Sequence, residues 1–225
     1  MTSTREPQYQ DCIELRARQG PTCLGLSSGV SWHDDPKRLT FTFARYKFVA
    51  KMCAGMKRVL EVGCGDAFAS RIVRQEVGHL TAIDFDRVFI DDANERMEAD
   101  WSFDCSVHDI LSGPVQPGGF DAAFSLDVLE HIPVNHEQTF MEHVVKSLGP
   151  HGTFIVGMPS LESQTYASPR SKAGHVNCKT APDLKKLMEE SFHRVFMFSM
   201  NDELVHTGFS PLAHYIIALG CDRRE

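Results

Sequence analysis

The stretch "VLEVGCGDA", Val59 to Ala67, decides how the rest of the chain is read. Its start is an apolar, β-branched strand, and its end is a glycine-rich turn. Gly63 and Gly65 remove Cβ atoms, so backbone can approach a ligand closely and take unusual φ values. Many nucleotide sites open in this way. A tight strand-to-helix corner would look the same, so the turn alone does not identify a ligand.

Outward from the turn, strands and helices alternate. "DAFASRIVRQEV" reads as a helix, "HLTAIDF" as a second strand and "RVFIDDANERMEAD" as a helix. A weaker third strand lies in "SFDCSVHDI" and a fourth in "FDAAFSLDV". "NHEQTFMEHVVKSL" is a helix with Asn135 as its cap and Gly149 closing it, and "GTFIVGMP" is a fifth strand. This rhythm implies parallel β-α-β units. It breaks at the end, where a helix capped by Thr180 leads to two strands, "RVFMFSMND" and "HYIIALGC". About a dozen residues and no helix separate them, so they pair antiparallel. The expected architecture is α/β: a seven-stranded, mostly parallel sheet with one antiparallel strand and helices on both faces. Before the turn, "PKRLTFTFARYKFVAKMCAG" has the spacing of an amphipathic helix ended by Gly55. Residues 1–35 read as a loose segment, with one short helix near Cys12 to Arg18, that helps cover the site. Residues 36–225 form the main domain.

In an open sheet of this kind, ligands bind at the carboxyl ends of the strands. Acids stand there in order. Asp84 closes the second strand, 21 positions after Gly63, where a carboxylate can accept from both ribose hydroxyls. Asp109 follows the third strand, placed to accept from an adenine amine, with the Ile110 N–H beside it. Asp127 follows the fourth. A dinucleotide fingerprint, G-x-G-x-x-G/A, would need a small residue where Phe68 stands. A pyrophosphate is also poorly served by Glu61, Asp66 and Asp84. A cationic cofactor such as S-adenosylmethionine suits these acids better than NAD.

With these residues in place, the sequence resembles the class I S-adenosylmethionine-dependent methyltransferases. "LEVGCGDA" looks like their first motif, "AIDFD" like their ribose-binding acid and "VHDIL" like their adenine edge. "FDAAFSLDVLEHIP" and "LGPHGTFIVGMP" resemble their fourth- and fifth-strand motifs. The likeness covers about Lys57 to Pro159. Its "DVLEHI" form is similar to the branch with ubiquinone-pathway and sugar or small-molecule O-methyltransferases. The resemblance implies a Rossmann-like methyltransferase fold. It also implies S-adenosylmethionine held by Arg45, Glu61, Gly63, Cys64, Gly65, Asp84, Phe85, Asp109, Ile110 and Leu126. Arg45 or Tyr46 would take the methionine carboxylate, or would be a surface arginine and a packing tyrosine. The family's third glycine is Ala67 here, a mild change that keeps the turn.

For methyl transfer to a hydroxyl, a histidine base is the usual aid near neutral pH. His131, after strand four, and His175, in the loop after strand five, are the candidates; His131 has an equally good structural reading. His206 ranks below them, and His136 and His143 read as a helix face. No histidine–acid cluster has metal spacing in the sequence, so no metal is expected. The acceptor pocket is expected from residues 1–35, Ser160 to Thr180 and Asn201 to Ala213. A small-molecule substrate is expected, with a sugar or nucleotide-sugar favoured by the resemblance. A phenolic or quinone-like acceptor comes next, and a binding module without activity is the alternative. A net charge of −7 argues against nucleic acid, and no apolar run approaches a membrane span of about 20 residues. The seven cysteines form no CxxC pair and read as reduced thiols, and the polar first residues lack an apolar signal core, so a cytoplasmic setting is expected. Oligomeric state is not legible.

Overall fold

The computed structural model describes residues 3–224. Helices α1 (Gln10–Gln19) and α2 (Leu26–Asp34) come first, then α3 (Lys37–Met52). The alternating part follows as β1 (Arg58–Val62), α4 (Ser70–Arg74), β2 (His79–Asp84), α5 (Arg87–Glu95), β3 (Asp104–Val107), β4 (Phe120–Leu126), α6 (Glu137–Ser147) and β5 (Leu148–Pro159). The last part holds α7 (Pro169–Gly174), α8 (Ala181–Glu189), β6 (Phe192–Asn201), β7 (Leu204–His206) and β8 (Tyr215–Arg223).

All strands join one sheet in the order β3-β2-β1-β4-β5-β8-β6-β7. The pairs from β3 to β5 are parallel, while β8 runs antiparallel to both β5 and β6. The Rossmann-like fold is as expected, and so is the antiparallel pairing of the last two long strands. The strand count is corrected from seven to eight. The connector between β6 and β8 turns back to form β7, which pairs antiparallel with β6 through Ser199↔His206. Two strands, β7 and β8, therefore oppose the rest where one was expected. Three residues are too few for an alternation signal, so β7 had none to give.

Side-chain alternation along the central strands sorts the core into two faces. Val59, Ala122, Phe124, Ile155 and Ile217 pack with α3 and α4 through Tyr46, Val49 and Val73. Their neighbours Leu60, Ala123, Phe154, Val156 and Ile216 pack on the other face with α6 and α8 through Phe140, Val144, Leu184 and Met188. Helix α8 starts where Thr180 accepts from the Asp183 N–H at 3.2 Å, as expected. Helix α6 does not start on Asn135. That residue sits in a 3-10 turn, His136 is the cap position, and Leu148 runs straight into β5, which takes in Gly149.

The N-terminal segment is more ordered than its composition suggests. It carries two helices where one was expected. Neither contains a fully buried residue, so both are held from outside rather than by a core of their own.

Candidate active site

The turn after β1 is built from left-handed backbone. Gly63 has φ +79°, Gly65 +53° and Ala67 +51°. A side chain at position 63 would meet Val128 Cγ2 at 2.3 Å, whereas one at 65 would meet nothing within 4 Å. Gly63 is thus required by packing as well as conformation, and Gly65 by conformation alone. The turn is pinned to β2: the Gly63 and Cys64 N–H groups both donate to Ile83 O, at 2.8 and 3.0 Å.

Asp84 is the hinge of this corner. Its Oδ2 accepts from the Gly65 N–H and its Oδ1 from the Asp86 N–H, each at 2.9 Å. Two backbone donors fix the carboxylate and leave it lone pairs for a ligand's hydroxyls. Asp109 accepts from the Leu111 N–H at 2.9 Å, opening a short 3-10 turn. His143 supports that turn from behind, its Nδ1 donating to Ile110 O at 2.7 Å.

These groups line a cavity of 630 Å³ along the ends of the strands. Gly63, Cys64, Gly65, Asp84, Phe85, Asp109, Ile110 and Leu126 all face it, as does His131 at one end. Five aspartates and no lysine or arginine are among its described lining residues: Asp66, Asp84, Asp86, Asp109 and Asp127. Such a wall repels a pyrophosphate and suits the sulfonium and ammonium of S-adenosylmethionine. A larger cleft of 1120 Å³ lies beyond Asp66, between residues 18–24 and α5, and shares neither Asp84 nor Asp109.

Two expected cofactor residues stand outside the lining. Arg45 is spent on Asp127, with Nη1 to Oδ2 at 2.7 Å, and its guanidinium lies 3.8 Å from the centre of the Tyr215 ring. Glu61 sits under the turn, only 1% exposed, where its Oε1 accepts from Tyr46 OH at 2.7 Å. Its Oε2 has no partner among the described residues. Burial pushes the Glu61 carboxyl up to about 7.

The cavity's roof comes from the N-terminal segment, through a helix not expected there. Ser27, Ser28 and Ser31 of α2 line it. Asp66 holds them there: its Oδ2 accepts from Ser27 Oγ at 2.8 Å and from the Ser28 N–H at 2.7 Å, and its Oδ1 from Ser28 Oγ at 3.2 Å. An acid at the start of a helix satisfies free N–H groups and the helix dipole. The helix it serves is α2, far along the chain, and not the one that follows it. Gly25 makes room, since a Cβ there would lie 2.4 Å from Asp66 Cγ.

At the other end of the cavity, the fold assembles a cluster that sequence spacing hid. One ligand-capable atom from each of Glu130, His131 and His175 lies within 4.8 Å of the others. His175 is not in the cavity lining but reaches His131 edge-on, with ring centres 5.2 Å apart. His175 stands 44 positions after His131, at the end of α7, so no local motif joins them. His206 lies elsewhere, its Nε2 within 2.9 Å of Asn201 Oδ1 in the β6–β7 hairpin.

Comparison with known proteins agrees with this geometry. Residues 59–152 match the family model described as "Methyltransferase domain". The mitochondrial ubiquinone biosynthesis O-methyltransferase of Schizosaccharomyces pombe is 24% identical over 112 residues. That match takes in 48% of this chain and only 40% of the yeast protein's length. Among solved structures, the N-methyltransferase NodS of Bradyrhizobium japonicum WM9, in complex with S-adenosyl-L-homocysteine, is similar. Its TM-score is 0.63 at 18% identity, over 96% of this chain and 99% of that one. The small RNA methyltransferase HEN1 has a TM-score of 0.66 at 17% identity, covering 82% of this chain and 25% of that one. No helix among the described residues is long and apolar enough to cross a membrane. Residues 59–152 thus match a methyltransferase domain model, and the chain carries the fold of these solved S-adenosylmethionine-dependent methyltransferases.

Proposed function

We propose that the protein transfers a methyl group from S-adenosylmethionine to a hydroxyl of a small molecule, with a sugar or nucleotide-sugar as the favoured acceptor. The observation that carries this is the cavity itself. Its cofactor end holds a fixed Asp84 and a wall of acids, and its far end holds an imidazole, His131, backed by His175. When bound, the cofactor supplies an activated methyl, so the chain's own work is to orient the acceptor and exclude water. In this reading Asp84 takes the ribose hydroxyls, and Asp109 with the Ile110 N–H takes the adenine edge. Ser27, Ser28 and Ser31 close the site, residues 1–35 acting as its cover over a domain of residues 36–225. Glu61 supports the turn from below, accepting from Tyr46 OH. Arg45 acts through Asp127, holding that carboxylate at the cavity wall. His131 and His175 are the catalytic pair that handles the acceptor hydroxyl.

A phenolic or quinone-like acceptor is the second reading, supported by the likeness to the yeast ubiquinone O-methyltransferase. The net charge of −7 supports a small molecule over nucleic acid. We place the protein in the cytoplasm, supported by its seven free cysteines.

The test pairs binding with turnover. S-adenosylhomocysteine should bind the purified chain, and Asp84→Ala should weaken it by about 1–3 kcal/mol, the loss of a buried charged acceptor. A panel of sugars, nucleotide-sugars, phenols, amines and RNA with labelled methyl donor should label a hydroxyl compound first. His175→Ala should lower that turnover with cofactor affinity unchanged. Binding of NADH with none of S-adenosylhomocysteine would overturn the cofactor assignment. Cofactor binding without labelling of any acceptor would favour an inactive binding module.

A further inference from the structure

We propose that Glu130, His131 and His175 bind a divalent first-row transition-metal ion at the far end of the cavity. The ion's open positions take the acceptor's hydroxyl. This deepens the methyltransferase reading and rests on it for the acceptor, though not for the ion.

Three independent observations meet at this point. The first is distance. Three atoms no more than 4.8 Å apart share a centre within about 2.8 Å of each. Bonds from such ions to nitrogen and oxygen are roughly 2.0–2.2 Å, so small ring rotations complete the site.

The second is the state of the rings. His131 Nδ1 lies 2.9 Å from Gly174 O, and His175 Nδ1 lies 2.8 Å from Gln164 Oε1. Both partners are acceptors, so both Nδ1 atoms donate, and Nε2 of each ring is the atom left to ligate. Metal-binding histidines are held in this way, one nitrogen donating to an oxygen and the other left to ligate.

The third is an unpaired buried acid. Glu130 is 1% exposed, and its Oε2 has no hydrogen-bond partner among the described residues. Its backbone is fixed, with O accepting from the Val176 and Asn177 N–H groups at 2.8 and 3.0 Å. These bonds also bring the His175 loop to it. The cations close by are committed: Arg45 to Asp127, and Lys179 to Glu137 at 2.6 Å. A buried carboxylate without a partner is costly. A divalent ion reverses that cost.

The donor set selects the ion. Two imidazoles and one carboxylate suit zinc, manganese, iron or cobalt better than calcium or magnesium, which prefer oxygen alone. Three protein ligands leave coordination positions open, and an acceptor hydroxyl placed there becomes more acidic. Its proton passes to water. The oxygen then bonds to the methyl carbon, whose bond to sulfur breaks with the electron pair left on sulfur. The ion thereby takes the place of an imidazole base.

Manganese alone is the probe. The full chain is stripped with EDTA and titrated with Mn²⁺, and free ion is read from its paramagnetic resonance signal. One ion per chain is expected. Glu130→Gln and His175→Asn should each weaken binding by about tenfold or more, and His206→Ala should leave it unchanged. Circular dichroism checks that each variant is folded. The half-buried His175 loop keeps the test valid if the Glu130 variant fails to fold. Absence of stoichiometric binding, or equal binding by the folded His175→Asn variant, overturns the proposal. The two readings fail separately. Methyl transfer that proceeds undiminished in EDTA removes the ion and leaves the methyltransferase. Stoichiometric, His175-dependent Mn²⁺ binding in a chain that does not bind S-adenosylhomocysteine removes the methyltransferase and leaves the ion site.

Discussion

Glu61→Gln tests the electrostatics under the glycine turn. The buried carboxyl titrates at about 7 rather than its ordinary 4.5. The native state therefore holds a proton that the unfolded chain has released across that window. Stability is present below the unfolded value and falls as pH rises towards the folded one. The difference corresponds to roughly 3 kcal/mol, lost between about pH 4.5 and 8. An amide keeps the acceptor for Tyr46 OH, and Ser70 Oγ, unpartnered among the described residues, is available to its N–H. It does not ionise. Urea unfolding of the cofactor-free protein should show the variant near wild type at about pH 5. At about pH 8 it should be more stable by up to roughly 3 kcal/mol. A stability difference that does not change with pH would refute the reasoning, because it would assign the titration to another group.

Gly63→Ala should be far more disruptive than Gly65→Ala, since only the first drives a methyl into Val128. Thermal unfolding should show about 1–2 kcal/mol for the second, the cost of a left-handed alanine, and several for the first. Equal losses would mean that the turn gives way at Val128. Asp66→Asn should loosen α2 by about 1–2 kcal/mol while the sheet keeps its stability. Hydrogen exchange would show faster exchange at residues 27–34 and, outside α2, only near Phe68, whose N–H also donates to Asp66. Protection there equal to wild type would remove Asp66 as the anchor.

What the sequence shows and hides follows range. The strand-to-turn reading of Val59 to Ala67 and the acids at Asp84 and Asp109 are local patterns, set by alternation and by loop position. Ala67 adopts the left-handed φ of the glycine it replaces, so the motif is legible even where its residue changes. Helix α2 was invisible because "LSSGVSWHD" is rich in weak helix formers, and its stability comes from Asp66, 38 residues beyond Ser28. Arg45 pairs with Asp127, 82 residues away, a contact no local pattern shows. The cluster of Glu130, His131 and His175 is hidden for the same reason, since only α7 and its loop bring the third member in. Local grammar places the glycine turn and its acids, and long-range pairing builds the roof and the histidine end of the cavity.

The position of β8 has a consequence for how the chain assembles. It follows the other strands of this sheet in the chain, yet it lies between β5 and β6 in the interior of the sheet. Until it inserts, β5 has an open edge and the β6–β7 hairpin has no parent sheet. During synthesis the parallel half, β1 to β5, can condense early, while β6 and β7 wait for β8. Interrupted chains would then display a long unpaired β5, which is a template for aggregation rather than a smaller working enzyme.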